Sequence, residues 1–242
     1  MYLVKTPRLI QRLFPNFTWQ FPTAEKVLYL TFDDGPIPKV TPWVLEQLKN
    51  YDAKGTFFCV GDNVRKHPQV FEQVLAGGHA VGNHTYNHFS GWGTDNSDYF
   101  ANVQQCKEVV ASSLFRPPYG RLTPRQAQLL QQQYRIIMWD VLSGDFDKNL
   151  SEEDCWQNVL KNAREGSIVV FHDSLKARQR LDYVLPRTLA HFAKAGYRFE
   201  RIEEEGKEEK SLEIARKLKA KGLSSSDISD LTGLSEAEIE NL

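Results

Sequence analysis

Val27-Leu28-Tyr29-Leu30-Thr31-Phe32-Asp33-Asp34-Gly35-Pro36 is an apolar run that ends in two adjacent carboxylates and a Gly-Pro break. The run reads as a buried strand that stops abruptly. Two acidic residues at a buried strand end are costly unless a metal, a basic side chain or a shared proton neutralises them. Outward from this stretch, strand-like runs are expected at 27–32, 55–60, 79–83, 114–117, 135–141, 167–172 and 197–202. Helical patterns lie between them, at about 40–50, 64–77, 95–111, 124–133, 151–164 and 184–195. This alternation predicts an α/β fold with a parallel sheet of βαβ units, and so many strands suit a barrel better than a small open sheet.

Polar residues with chemical potential fall at matching places. Asp33 and Asp34 end the first strand, His84 follows the third, Arg116 lies at the fourth, Asp140 near the end of the fifth, and His172 ends the sixth. Parallel β/α barrels collect their active sites at the C-terminal ends of strands.

His84-Thr85-Tyr86-Asn87-His88 places two imidazoles four residues apart. On a helical turn that spacing puts both on one face, a usual way to make two metal ligands. Alone the spacing is a weak signal, shared by pairs of solvated or capping histidines. Beside a carboxylate pair at a neighbouring strand end, it points to a metal. Two histidines and one aspartate leave a position open, the pattern of a catalytic rather than a structural zinc. The second carboxylate is then free to take a proton from the attacking water. Spacing does not say which aspartate does which.

Composition narrows the remaining classes. A formal net charge of -1 gives no global electrostatic case for nucleic acid or an anionic membrane, so neither is expected as a partner. Cys59, Cys106 and Cys155 are widely spaced with no CxxC pair, which predicts buried, reduced thiols. Pro7, Arg8, Gln11 and Arg12 interrupt the apolar-basic segment 1–25, so it does not read as a signal peptide. No run is long enough to span a membrane, and the expectation is a cytoplasmic chain.

Four motifs occur in order: TFDDGP at 31–36, HTYNH at 84–88, RPPYG at 116–120 and IVVFHD at 168–173. Together they resemble the NodB-type polysaccharide deacetylases, carbohydrate esterase family 4, over roughly residues 26–203. The resemblance implies a distorted (β/α) barrel with seven or eight strands. It also implies a divalent metal, zinc first with cobalt or a similar ion able to substitute, and hydrolysis of N-acetyl groups from amino sugars. By the same resemblance Asp34, His84 and His88 bind the metal, and Asp33 is the general base. Arg116 holds Asp33 ionised, the Tyr119 backbone N–H stabilises the oxyanion, and His172 is the general acid. Val170, usually leucine in the family, lines the acetyl pocket. Pro117 and Trp92 are assigned to substrate contact, Trp92 as a stacking face in a Gly-flanked loop.

One segment departs from the family. Its fourth motif commonly reads V-D-x-x-D-W, whereas this chain has Trp139-Asp140-Val141-Leu142-Ser143-Gly144-Asp145-Phe146. Leu142 stands where a buried aspartate that orients the acid histidine is expected, and Phe146 where a tryptophan is. Asp140 lies two residues earlier, on the same strand face. It is expected to supply that carboxylate, pairing with Arg116 or His172. Tyr86 and Trp139 read equally as core or as sugar-stacking rings. His67, His79 and His191 have structural readings, in a turn, at a strand start and on a helix surface. Lys176 and Arg178 could meet an anionic substrate group, though a solvated loop is the plainer reading.

After residue 203 the composition changes. A charged linker leads into SLEIARKLKAKGLSSSDISDLTGLSEAEIENL, which predicts two or three short helices. Ile214, Leu218, Leu223, Ile228, Leu231, Leu234 and Ile239 supply apolar spacing, Gly222 and Gly233 suit helix ends, and Ser224 and Ser235 suit N-caps. Residues 204–242 resemble the helix-turn-helix-like tail of some transposase-related nuclease families. Residues 223–242 contain no Lys or Arg but carry Asp227, Asp230, Glu236, Glu238 and Glu240. Such a helix would repel phosphate, so protein contact or self-association is expected instead. The organisation is thus a lead-in over 1–25, a catalytic domain over 26–203 and a helical tail over 204–242. Competing readings are a metal amidase of the same fold acting on a small non-polymeric amide, and a catalytically silent binding protein.

Overall fold

A computed structural model describes residues 2–203, 215–216, 218–220, 223–232, 235, 239–240 and 242. The chain divides into two compact units, Met1–Ile202 and Glu203–Leu242.

The larger unit is a curled parallel sheet flanked by helices. Its strands are β1 (Val27–Asp33), β2 (Gly55–Cys59), β3 (Ala80–Asn83), β4 (Leu114–Phe115), β5 (Arg135–Ile136), β6 (Val141–Leu142), β7 (Ile168–His172) and β8 (Arg198–Phe199). They run in the order β5-β4-β3-β2-β1-β7-β6. β8 pairs with Val27 and Leu28 of β1, just before β2 joins at Leu30. The pairing is parallel throughout, and register carries the strand ends to one rim. Asp33 pairs with Phe58 and His172, Cys59 with Asn83, and Asn83 with Phe115. β1 is buried along nearly all its length because it lies in the middle of the sheet with neighbours on both edges.

The single strand expected at 135–141 is two short strands with an irregular step between them, where Ile137 N–H still donates to the Phe115 carbonyl and Asp140 N–H to that of Ile168. The lead-in fills the step. Thr18 bridges Ile137, Lys5 bridges Val141, Met138 N–H donates to the Thr18 carbonyl at 2.7 Å, and Thr6 N–H to the Asp140 carbonyl at 3.0 Å. Backbone groups there need partners, and the lead-in supplies them where no neighbouring strand does.

The helices are α1 (Arg8–Leu13), α2 (Thr41–Lys49), α3 (Gly61–Lys66), α4 (Pro68–Ala76), α5 (Asn96–Lys107), α6 (Pro124–Leu130), α7 (Glu152–Asn162) and α8 (Arg178–Lys194). The helix expected at 64–77 is α3 and α4, broken at His67 because the residue before Pro68 is pushed out of helical geometry. α8 starts six residues earlier than the pattern suggested and tolerates Pro186 inside it. α7 starts on a capping box between Ser151 and Asp154. Val159 of α7 and Leu181, Val184 and Leu185 of α8 share one buried cluster with Val169 and Phe171 of β7. Burying such side chains is the main stabilising term and fixes the strand that carries His172. All three cysteines are buried and unbridged, as expected.

In the smaller unit a helix spans Ser225–Thr232, and the Ser224 hydroxyl accepts from Asp227 N–H at 3.2 Å, the expected N-cap. Ala215, Ile228 and Ile239 form its buried cluster. The linker 204–211, Ile214, Gly222, Gly233, Leu234, Glu236 and Glu238 lie outside the described residues, as does the side chain of Leu231. No helix among the described residues is long and apolar enough to cross a membrane.

Candidate active site

Asp33 and His172 are register partners at the ends of β1 and β7. Each is held by a partner of opposite charge. Arg116, fully buried, donates from Nη1 to Asp33 Oδ1 at 2.7 Å and to Thr31 Oγ1 at 2.8 Å. Its Nη2 and Nε donate to the Met138 and Ile137 carbonyls at 3.0 and 3.2 Å. The guanidinium lies 4.1 Å over the Phe58 ring. A buried arginine with this many partners is immobile, so it fixes the carboxylate it meets.

His172 is held by Asp145, not by Asp140. Asp145, fully buried, accepts His172 Nδ1–H at 2.8 Å on Oδ1 and His172 backbone N–H at 2.8 Å on Oδ2. Burial lowers the pKa of His172, but the charge and hydrogen bond of Asp145 outweigh it, with smaller help from Asp34 and Asp33. The result is a pKa raised to about 9. The expected pairing of Asp140 with Arg116 or His172 is absent. Asp140 instead binds Lys5 Nζ and accepts from Ser167 Oγ at 2.6 Å. Ser167 precedes β7, and five residue steps along the strand, roughly 16 Å, carry the chain from it to His172. Asp140 therefore points to the wrong end of the strand and anchors the lead-in. Asp145 reaches the rim because Gly144 turns the chain at φ 82°.

Asp34, His84 and His88 form the other half. Their ligand atoms all lie within 4.8 Å of one another. Asp34 Oδ1 is 3.2 Å from His88 Nε2 and 3.9 Å from His84 Nε2. His84 Nδ1 must carry its proton, because it faces the Arg116 carbonyl at 2.7 Å. Burial pushes the His84 pKa down to about 4, so its Nε2 offers a lone pair at neutral pH. Burial works against ionisation of Asp34, yet the His88 hydrogen bond and the charges of His172, His88 and His84 hold its pKa well below the usual range. Two imidazole nitrogens and one carboxylate oxygen converging on one point fit a divalent cation.

The two histidines meet without the helical turn that their spacing suggested. Residues 84–90 are irregular, and Thr85 and His88 take φ of 62° and 58°. Asn83 and Asn102 hold this loop. Thr85 N–H donates to Asn83 Oδ1 at 2.9 Å, and Asn87 N–H to Asn102 Oδ1 at 2.8 Å. Asp34 at φ 81° and Tyr119 at φ 60° bring four of the five left-handed non-glycine residues among those described to this rim. Such backbone costs energy and persists where surrounding contacts enforce it, commonly at functional sites.

Asp173 is among the enforcing groups. It is fully buried and accepts Gly35 N–H at 3.0 Å and the Thr41 hydroxyl at 2.5 Å, while its own N–H donates to the Asp33 carbonyl at 3.1 Å. Burial, against these hydrogen bonds, raises its pKa to about 7. Asn63 Nδ2 donates to the Asp34 carbonyl at 2.7 Å. Sequence reasoning missed Asp145, Asp173, Asn63, Asn83 and Asn102. Only Asp145 carried a signal, its position directly before an aromatic residue in the fourth motif.

Val170 and Pro117 are buried, and Val170 pairs with Thr31 and Leu142. Trp92 is exposed, with Nε1 donating to the Leu122 carbonyl at 3.0 Å. Tyr119 is also exposed, its ring edge-on to His88 at 4.7 Å between centroids. Tyr86 is buried in the cluster that holds Phe32 and Phe57, and Trp139 packs against a separate one that holds Phe115, Ile136 and Met138. His79 is buried and accepts Gly55 N–H at 3.1 Å, and His191 is exposed on α8. Arg178 is engaged by Asp182 at 2.5 Å and stacks over Trp43.

Comparison with known proteins gives the same assignment. Residues 21–135 match the family model described as polysaccharide deacetylase, and residues 208–242 match the C-terminal HTH domain of the Rpn/YhgA-like nuclease family. A peptidoglycan-N-acetylglucosamine deacetylase of Bacillus cereus is 34% identical over 194 residues, covering 77% of this chain and 91% of the relative. A chitooligosaccharide deacetylase of Azorhizobium caulinodans is 34% identical over 158 residues, covering 60% of this chain and 73% of the relative. The crystal structure of a peptidoglycan N-acetylglucosamine deacetylase in complex with 4-naphthalen-1-yl-N-oxidanyl-benzamide superposes with a TM-score of 0.75 at 28% identity, covering 81% of this chain and 95% of that one. With the four motifs gathered on one rim of the same barrel, the chain belongs to the polysaccharide deacetylase family, the NodB-type carbohydrate esterase family 4.

Proposed function

We propose that this chain hydrolyses the N-acetyl group of an N-acetylated amino sugar within a glycan, with peptidoglycan-type glucosaminyl residues as the first substrate to try. The observation that carries the reading is the pairing of Asp33 with Arg116 and of His172 with Asp145 on adjacent strand ends. Arg116 orients the Asp33 carboxylate, a base. Asp145 favours the imidazolium, an acid. Hydrolysis of an amide needs both at once.

Asp34, His84 and His88 would hold a divalent ion, zinc first, which when bound polarises the acetamide carbonyl and acidifies water. Asp33 takes the proton of the attacking water as its oxygen bonds to the carbonyl carbon. The Tyr119 N–H donates to the oxyanion that develops. His172, with Nδ1 committed to Asp145, gives its Nε2 proton to the sugar nitrogen. The carbon–nitrogen bond then breaks, leaving acetate and a free amine. Trp92 offers a face for a neighbouring sugar, and Val170 and Pro117 the wall for the acetyl methyl. Acetate release from N-acetylglucosamine oligomers and peptidoglycan fragments, with zinc or cobalt supplied, tests the reading. Failure of all of them with metal bound would overturn it.

For residues 204–242 we infer a protein-contact module. The helix Ser225–Thr232 carries Asp227 in its first turn and no basic residue in its last, which disfavours nucleic acid as its partner. Retention of short DNA duplexes by the full chain at physiological salt would contradict this.

A further inference from the structure

Two aromatic rings stand against the site histidines, one on each side. Tyr119 meets His88 edge-on at 4.7 Å, and Phe146 meets His172 edge-on at 5.0 Å between centroids. Each ring also carries a cation. The Arg121 guanidinium lies 5.8 Å from the Tyr119 centroid and 5.2 Å from that of Trp92. The Lys176 ammonium lies 5.6 Å from the Phe146 centroid.

Both cations are exposed, and among the described residues neither lies within ion-pair distance of a carboxylate. Arg178, two residues beyond Lys176, differs: it is paired with Asp182. Asp147, held below the usual carboxylate range mainly by Asn149 N–H and the Tyr2 hydroxyl, each at 2.9 Å, feels Lys176 only as a minor charge beyond ion-pair distance. A cation over an aromatic face is held in place without being neutralised. Its charge stays available to a ligand, and a guanidinium offers a carboxylate two parallel donors.

We propose that Arg121 and Lys176 make this site select glycans whose sugars flanking the reacting acetamide carry carboxylates. The inference rests on the deacetylase reading above and adds the charge class of its substrate. A neutral glycan would gain nothing from either cation. An anionic one meets a positive group on the His88 side and another on the His172 side.

The test uses the metal-loaded full chain on one glycan in two forms: peptidoglycan glycan strands with free carboxylates, and the same strands with those groups converted to methyl esters. Acetate release gives kcat/KM for each form. The ratio of acid to ester should favour the acid by roughly three- to fivefold per cation at low ionic strength, and shrink as salt is added. Arg121→Gln and Lys176→Gln should each reduce the ratio, the double variant should bring it near one, and Arg121→Lys should retain much of it. Equal rates on acid and ester in the wild type, or a ratio unchanged in the double variant, would overturn the inference while leaving deacetylation intact. No acetate from either form or from chitotetraose would overturn the deacetylase reading and this inference with it.

Discussion

His172 gives both its ring Nδ1–H and its backbone N–H to the one carboxylate of Asp145, at 2.8 Å each. The ring therefore has one orientation and one free nitrogen, and its pKa is raised to about 9. An imidazolium that must donate a proton is lost as pH rises, so the alkaline limb of the pH–rate profile belongs to His172. Asp145→Asn removes the charge that opposes burial. The alkaline limb should move to lower pH by roughly 1 to 2 units, with kcat reduced, as a pH–rate series would read. The same shift bears on stability. Protons bound by folded His172 stabilise the metal-free protein fully below about pH 6.5, and that contribution disappears as pH climbs toward about 9. Urea midpoints across that window should fall in the wild type and stay flatter in Asp145→Asn.

Asp140 gives the opposite expectation. It anchors Lys5 and Ser167, and neither touches the site histidine. Asp140→Asn should leave both limbs of the pH–rate profile in place. It should lower unfolding stability by about 1–3 kcal/mol, because a buried hydrogen-bonded charge and its partner are disturbed. Denaturant titration alongside the pH series separates the two effects.

Gly35 has no room for a side chain. A Cβ there would lie 2.0 Å from Asp173 Oδ2, displacing the carboxylate that holds the backbone between Asp33 and Thr41. Gly35→Ala should weaken zinc binding by roughly 10- to 100-fold, since outer groups orient ligands. Titration of the metal-free variant against a competing chelator measures this without any turnover.

Among the described residues Arg116 is the largest fully buried side chain, and Asp33 is its only carboxylate partner. Arg116→Met leaves that carboxylate buried and unpaired. The expected loss is about 3–5 kcal/mol of unfolding free energy. Arg116→Lys should recover little of it, because an ammonium cannot reproduce the fork to Thr31, Asp33 and the Ile137 and Met138 carbonyls.

The parts legible in the sequence were those with local signatures. β1 and β7 announce themselves as apolar runs ending in Asp33 and His172, and helix–strand alternation orders the rest. What stayed hidden depends on distant chain segments. The step between β5 and β6 is held open by Thr18 and Lys5, more than a hundred residues away in sequence, so no window around 135–141 reveals it. On paper Asp145 differs from Asp140 only in standing directly before the aromatic residue of the fourth motif. Only the turn at Gly144 and the placement of Ser167 at the start of β7 decide which one meets His172. The loop that joins His84 to His88 depends on left-handed Thr85 and His88, and a β-branched threonine is among the residue types least expected in that conformation.

The most direct measurement is acetate release and zinc stoichiometry, taken together, for the wild type and Asp33→Asn on peptidoglycan fragments and N-acetylglucosamine oligomers. The expected result is release by the wild type and a loss of about 10²- to 10⁴-fold in Asp33→Asn, with zinc still bound one to one through Asp34, His84 and His88. Undiminished turnover in Asp33→Asn would contradict the assignment of Asp33 as the base.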